Sequence, residues 1–377
     1  MKSVCVCFQI HHPYHTKWYW PDKGYNIQLD LDLYFDSQKN YISFSNLCRE
    51  SFIPTLETLL KTIEKHDSKY ALNVSGTLLE QCKWDPAIIV ALRTLANTGN
   101  VEFLCSPYYN SISSLLNNTE YFTQHVLMHK RKIMELFNCN TTTFVNSDLI
   151  CTPGIPSIIE KMGFQTLITE GAENILNGRN PTGLFNNNDL AILTRHISLS
   201  EDLEKRFSSK TWIEYPLIPE KFASWISNMK GDVLLLYVDC ATFGGHYNSG
   251  SFIFDFLEKF PAELEKRNID MITPSEAIEL FDATKLPTLE KESVARYGMF
   301  NLLDNHMQNL YFHELIDIGK YLENTTNPLF EEIFGFLQQV DILSSMNSHN
   351  IQISFEVAMN NFSILSDFKR RIIGESI

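Results

Sequence analysis

Cysteine pairs at metal-binding spacing are missing from this chain. Its eight cysteines, at 5, 7, 48, 82, 105, 139, 151 and 240, form no CxxC and no pair of pairs with zinc-finger spacing,. Cys5 and Cys7 are too close along one strand for an ordinary disulfide, so reduced thiols in a cytoplasmic protein are expected. Basic residues are outnumbered, 31 Lys and Arg against 45 Asp and Glu, for a net charge of −14. That balance argues against a nucleic-acid backbone or an anionic membrane as partner. A neutral polar ligand such as a sugar meets no such penalty. No stretch approaches the roughly 20 apolar residues of a membrane span. The N-terminal MKSVCVCFQIHHPY has one lysine and no small-residue cleavage site, so it reads as a first strand and not a signal peptide. There is no internal repeat and no low-complexity tract. A chain of 377 residues then suggests one large domain with an accessory one, or two domains.

What is present centres on residues 231–246, GDVLLLYVDCATFGGH. The apolar run from Val233 to Val238 has no helical period and suits a buried parallel strand. It ends at Asp239, followed by small residues, two glycines and His246. A carboxylate at the C-terminal end of such a strand sits where α/β and barrel enzymes place their chemistry. The plainer reading makes Asp239 a helix cap or a rim salt bridge.

Strands and helices alternate through the chain. Strands are expected at Val4–Ile10, Tyr70–Val74, Val101–Cys105, Thr143–Ser147, Gln165–Thr169, Asp189–Thr194, Val233–Val238 and Ile269–Ile272. Helices are expected at Ser51–His66, Pro86–Thr98, Glu120–Asn138, Pro156–Met162, Pro219–Met229 and Phe252–Lys266. This rhythm means βαβ units around a parallel sheet, and seven or eight such units close best as a barrel. Phe281–Glu292 reads as a linker. From Ser293 onward the pattern is helical only, so the chain divides into a barrel over 1–285 and a helical bundle over 293–377.

Strand ends deliver His11, Glu102, Asp148 and Asp239, which in a parallel barrel converge on one face. Two carboxylates in one sugar-sized pocket is the arrangement that glycoside hydrolysis needs. The loop after the first strand adds Trp18 and Trp20, rings suited to stacking on sugar faces, or simply to packing. His125 and His129, at i, i+4, have a spacing that can chelate a metal, but no Glu completes HExxH and a solvated helical face is the expectation.

On these motifs the sequence resembles glycoside hydrolase family 57, closest to its α-amylase-like members. The first motif of that family, around FQVHQP, reads here as Phe8–Pro13. The second, around GxVEF, reads as Gly99–Phe103. The third, around FRNTELIY, reads as Phe144–Cys151. The fourth, around DYETFGEH, reads as Asp239–His246. Arg206-Phe207-Ser208, Trp212, Glu214, Tyr215 and Pro216 also look like the family. The resemblance implies an incomplete (β/α)7 TIM-like barrel followed by a C-terminal helical bundle. It implies action on an α-glucan or maltooligosaccharide by a retaining two-carboxylate mechanism, as α-amylase or 4-α-glucanotransferase, with no metal and no cofactor. Asp239 would be the general acid/base and Asp148 would occupy the nucleophile position. His11, Glu102, Trp18, Trp20, Tyr108, Phe243 and His246 would bind substrate.

Three departures stand out. The family nucleophile is Glu, shortened here to Asp148. Both glutamates of the fourth motif are lost, to Ala241 and Gly245. The tryptophan of the fifth motif is absent near Val294–Phe300, where Tyr297 stands. These departures point to weak activity, or to a glucan-binding relative that has lost catalysis. A metal-dependent sugar deacetylase is a third possibility, but its Asp and two His ligands have no evident counterpart.

Overall fold

The computed structural model describes residues 2–20, 28–116, 118–323, 325, 327–347 and 351–375. Ten strands run in chain order: β1 Lys2–Ile10, β2 Tyr70–Val74, β3 Val101–Phe103, β4 Thr143–Val145, β5 Thr166–Glu170, β6 Leu184–Asn187, β7 Leu190–Arg195, β8 Val233–Asp239, β9 Ile269–Met271 and β10 Thr284–Lys285. All strand pairs are parallel except the β6–β7 hairpin. The result is a mixed α/β fold dominated by a parallel sheet, with helices around it.

Pairing runs β4–β5–β7–β8–β1–β2–β3, and a parallel bridge from Cys105 to Phe144 links the segment after β3 back to β4. Two joints in this circuit are thin. The Cys105–Phe144 bridge is one, and β7 meets β8 through the single pair Arg195–Leu235.

The period-2 alternation of the strands sorts side chains into two cores. From β1, Val4, Val6, Phe8 and Ile10 pack outward with Leu234, Leu236 and Val238 of β8 against the helices. Cys5 and Cys7 point inward with Leu235 and Tyr237. All eight cysteines are free thiols. The inward phase places Gln9 beside Asp239 at the top of the two neighbouring strands, since those residues are register partners.

The structure differs from sequence expectation in instructive places. A helix at Ser37–Leu47 and a π-helical turn at Cys48–Phe52 precede the helix Ile53–His66; the weak amphipathicity of the first hid it. β6 went unread because its turn, Asn187 to Leu190, leaves little apolar pattern to see. Phe281–Glu292 is no loose linker: β10 pairs with β6, and Leu286 and Leu289 are buried. His125 and His129 do not face solvent. Both are buried on the helix Thr119–Phe137. His129 bonds the Ser106 N–H at 3.0 Å and the Val74 carbonyl at 2.7 Å, while His125 contacts Ser111 at 3.3 Å. Burial holds both histidines down, at about 4. Among the described residues no helix is long and apolar enough to cross a membrane.

After β10, helices at Phe300–Leu303, His306–Leu322, Pro328–Leu337, Val340–Ser345 and Ile351–Glu375 share one core. That core also takes in Tyr14, Tyr19, Tyr34 and Phe35 from the segment after β1, and Tyr108 to Ile112 from the segment after β3. Gln339 stitches the two parts together: its side chain accepts from Tyr14 N at 2.8 Å and donates to Tyr14 O at 3.2 Å. The helices therefore sit over the C-terminal ends of the strands.

Candidate active site

The site forms where β8, β1 and β4 end. β8 leaves the sheet at Asp239, whose Oδ1 accepts from Ala241 N at 2.9 Å and opens a 3-10 turn. β4 ends at Val145, and residues Ser147–Leu149 form another 3-10 turn. In it Asp148 and Leu149 both take positive φ, 46° and 54°, a region that non-glycine residues enter at a cost. Asn146 holds this turn: Oδ1 accepts from Ser147 N at 3.0 Å, and Nδ2 donates to Ile150 O and Ser114 Oγ, each at 2.8 Å.

A segment from beyond the barrel closes over these carboxylates. Val294 pairs antiparallel with Cys151, and Arg296 N donates to Asp148 O at 2.7 Å. The Arg296 side chain, nearly buried, reaches Gln9 Oε1 at 3.2 Å and ion-pairs with Glu204. Glu204 explains how the thin joint between β7 and β8 survives. With no neighbouring strand above Leu235, the backbone of β8 needs other partners. Ser200 Oγ accepts from Tyr237 N at 3.3 Å and Glu204 Oε1 from Asp239 N at 2.8 Å. Arg195 Nε donates to Tyr237 O at 2.9 Å. Arg195 also pairs with Glu204 at 2.8 Å and Glu170 at 3.1 Å. Charges of alternating sign, Glu170, Arg195, Glu204 and Arg296, thus form a chain that ends beside the two aspartates.

Electrostatics follow from this burial. Desolvation pushes Asp148 up to about 6, against the pull of Arg296 and with a further push from Asp341. Desolvation also raises Asp239, opposed by Arg296 and the Ala241 N–H. His11 feels both aspartates, so His11, Asp148, Asp239 and Arg296 belong to one cluster. A carboxyl bound more tightly to its proton when folded than when unfolded destabilises the fold as pH rises through that range. Asp148→Asn is therefore expected to stabilise the protein at pH 8 by up to about 3 kcal/mol, two pKa units at 1.36 kcal/mol each. At pH 4 the gain should nearly vanish, because the carboxyl is then neutral in the fold. Melting temperatures of the two proteins across pH 4–8 measure it. A constant difference would mean that Asp148 is not the group that titrates.

Other expected site residues lie elsewhere. Glu102 points into the barrel but sits low. It is level with Ala71 and Cys7, one inward layer below Gln9 and Asp239. Both its oxygens are engaged, one by Thr143 and the other by Ser275 N and Oγ at 2.9 and 2.8 Å. It secures the start of the helix Pro274–Leu280 instead of joining His11. Phe243 is buried edge-on to Phe8 in the outer core, because the turn after Asp239 carries the chain back toward the helices. Tyr108 is also buried; its ring lies against Gly76 and its hydroxyl donates to Glu80, beside a separate cavity of about 540 Å³. His246 is exposed but close enough to stabilise the Asp239 carboxylate. Trp18 and Trp20 are exposed, and Trp18 lines a cavity of about 620 Å³ that also takes in Asp341.

Sequence reasoning missed Gln9, Glu204, Arg296 and Asp341. Gln9 lies inside a motif already noted, and period-2 phasing with Asp239 would have exposed it. Arg296 neighbours the noted Tyr297. Glu204 sits in an ordinary polar run and Asp341 on a short helix, and neither carries a local signal. Gly245 is crowded: a Cβ there would lie 2.6 Å from the Ala241 carbonyl, so this turn has no room for a side chain at that position. Among the described residues no group of three metal-ligating side chains is placed to hold an ion.

The family model for glycosyl hydrolase family 57 matches residues 6–290. A provisionally named alpha-amylase of Methanocaldococcus jannaschii is 29% identical over 96% of this chain and 83% of its own length. Among solved structures, a GH57 branching enzyme of Thermococcus kodakaraensis superposes with a TM-score of 0.71 at 13% identity, over 100% of this chain and 90% of its own. The 4-alpha-glucanotransferase of Thermococcus litoralis gives 0.68 at 12% identity over 96% of this chain, which spans 60% of that protein's length. At these identities the two structures establish a shared fold.

Proposed function

Because the chain belongs to glycosyl hydrolase family 57, we propose that it acts on an α-glucan or maltooligosaccharide by a retaining mechanism carried by Asp148 and Asp239. The observation that supports this most is the buried cluster in which both carboxyls feel the charge of one guanidinium, Arg296. In this reading the Asp148 carboxylate attacks the anomeric carbon while Asp239 protonates the departing glycosidic oxygen. Water, or a second glucan hydroxyl, then attacks the anomeric carbon and displaces the Asp148 carboxylate while Asp239 takes its proton, giving hydrolysis or transfer. Burial pushes both carboxyls toward protonation and Arg296 pulls both toward ionisation; the mechanism needs Asp148 ionised and Asp239 protonated at the outset. We place this activity in the cytoplasm, where eight free cysteines, all but Cys139 buried, would stay reduced.

A second reading, a glucan-binding protein without turnover, is favoured by one feature. Where the resemblance calls for glutamates near the acid/base there are Ala241 and the crowded Gly245. Reducing-sugar release from a maltooligosaccharide, measured beside calorimetric binding on the same sample, separates the two. Slow release with binding is expected. Binding without release selects the second reading, and neither would sink both.

A further inference from the structure

The cavity of about 540 Å³ beside Tyr108 lies between the barrel helix Thr119–Phe137 and the C-terminal helix Pro328–Leu337. Gly335 lets the second helix come this close, since a Cβ there would lie 2.3 Å from the Tyr109 ring. The floor of the cavity is made by Tyr108, Tyr109, His125 and Phe336, all buried. Two polar atoms of that floor have no hydrogen-bond partner among the described residues. One is the hydroxyl of Tyr109, a residue only 5% exposed. The other is Nε2 of His125, which is 7% exposed. His125 Nδ1 lies 3.3 Å from Ser111 Oγ, and that hydroxyl donates to Ser113 Oγ at 2.9 Å. Nδ1 therefore carries the proton of the neutral ring, which leaves Nε2 a bare acceptor.

Glu80 and Glu332 stand above this floor, half-buried, with Glu331 at the rim. Glu80 accepts from the Tyr108 hydroxyl and has Lys132 at 3.9 Å. Glu331 and Glu332 form no ion pair or hydrogen bond among the described residues. Arg131, also at the rim, pairs with none of the three glutamates; its Nε donates to Leu127 O at 3.4 Å. Burial and the charge of Glu80 raise the Glu332 carboxyl, and Lys83 does not offset them. Burial, then Glu332, Glu80 and Glu331, raise the Tyr109 hydroxyl. A cavity so charged repels an anion. It also offers a sugar no open ring, because Tyr109 is locked edge-on to Tyr108 and Phe336, with centroids 5.1 and 4.8 Å away. What it lacks is a cation rich in donors. An alkylammonium group has three N–H donors and no acceptor, is attracted by aromatic rings, and brings methylenes that suit Met128 and Phe336. We propose that this cavity binds an aliphatic amine in its ammonium form, with Glu80 and Glu332 as counter-charges and the Tyr109 hydroxyl and His125 Nε2 as acceptors. Glu80 and His125 belong to the barrel and Glu332 to the C-terminal helices, so the bound cation ties the two parts together.

Amine binding here does not depend on glucan turnover. The probe is 1,4-diaminobutane, titrated calorimetrically into the full-length native protein, Glu332→Gln and Gln124→Trp, with KCl matching the ionic strength. Melting temperatures are taken on the same samples. Loss of one charged hydrogen bond predicts a Kd about ten- to a hundredfold higher for Glu332→Gln. Without amine this variant should melt no lower than the native protein at pH 8, since it removes an unpaired carboxylate whose charge the fold disfavours. Gln124→Trp should also weaken binding, because it puts an indole in the outer part of the cavity and leaves Glu332 in place. The question thus stays answerable if Glu332→Gln fails to fold. The amine should raise the melting temperature of the native protein and have little effect on either variant. Equal binding by all three proteins would be diffuse attraction to a chain of net charge −14 and would overturn the proposal, as would no binding by the native protein. A maltooligosaccharide that binds the native protein but not the variants, with the amine unbound throughout, would make the cavity a sugar site instead.

Discussion

Asp239→Asn is expected to abolish turnover of a maltooligosaccharide while leaving its binding nearly intact. The amide keeps the shape of the side chain, and its carbonyl oxygen can still accept the Ala241 N–H that Asp239 accepts at 2.9 Å. The backbone contact from Asp239 N to Glu204 at 2.8 Å is untouched. What is lost is a proton that can be given and retaken. General acid–base catalysis contributes on the order of 10²–10⁴ in rate, so the loss should reach that range. A substrate with an activated leaving group, which needs little protonation, should recover part of the first step but not the second. Stopped-assay rates on both substrates, with calorimetric binding, measure this. Normal turnover by the Asn variant would show that another group shuttles the proton.

Asp148→Glu is expected to raise the rate, by up to about a hundredfold. A retaining pair works with its carboxyls about 5–5.5 Å apart. Asp is shorter than the family's Glu by one methylene, roughly 1.5 Å of reach, and a misplacement of about 1 Å can cost on the order of 100-fold. The longer side chain restores that reach. Two features of the fold limit the gain. Asp148 sits at φ 46°, where Asp is better tolerated than Glu, so the variant should melt at a lower temperature. The turn at Gly245 admits no Cβ as it stands, so adding a glutamate there should not compound the improvement. Initial rates of the native protein and Asp148→Glu on one activated maltooligosaccharide give the comparison. A native protein that is already fast, and slowed by Glu, would mean that the backbone has moved to suit Asp. Two inactive proteins that both bind glucan would move the glucan-binding reading ahead.

Residue order alone determined the βαβ rhythm and the helical C-terminal part, and it singled out the two aspartates as candidates, for a common physical reason. Apolar periodicity is local, and Asp239 follows a run whose inward phase, Leu235 and Tyr237, carries straight on to it. Asp148 follows the short apolar strand β4 by three residues, in the turn after it. The same local logic failed for Glu102, because a strand's last inward position depends on where its neighbour stops pairing. Leu104 N still bonds Leu72 O at 2.9 Å, so the sheet continues above Glu102 and leaves it a layer too low. It failed for Phe243 and Tyr108 because the direction taken after a turn is set by the packing of distant segments. Tertiary structure decided everything that joins remote parts of the chain. Arg296 reaches Asp148 through the pairing of Cys151 with Val294. Glu204 is drawn in because a backbone N–H at a gap between β7 and β8 must find an acceptor. Asp341 meets His11 across 330 positions. Such partners satisfy charges and donors buried by the fold, a requirement that exists only once the fold has removed water from them.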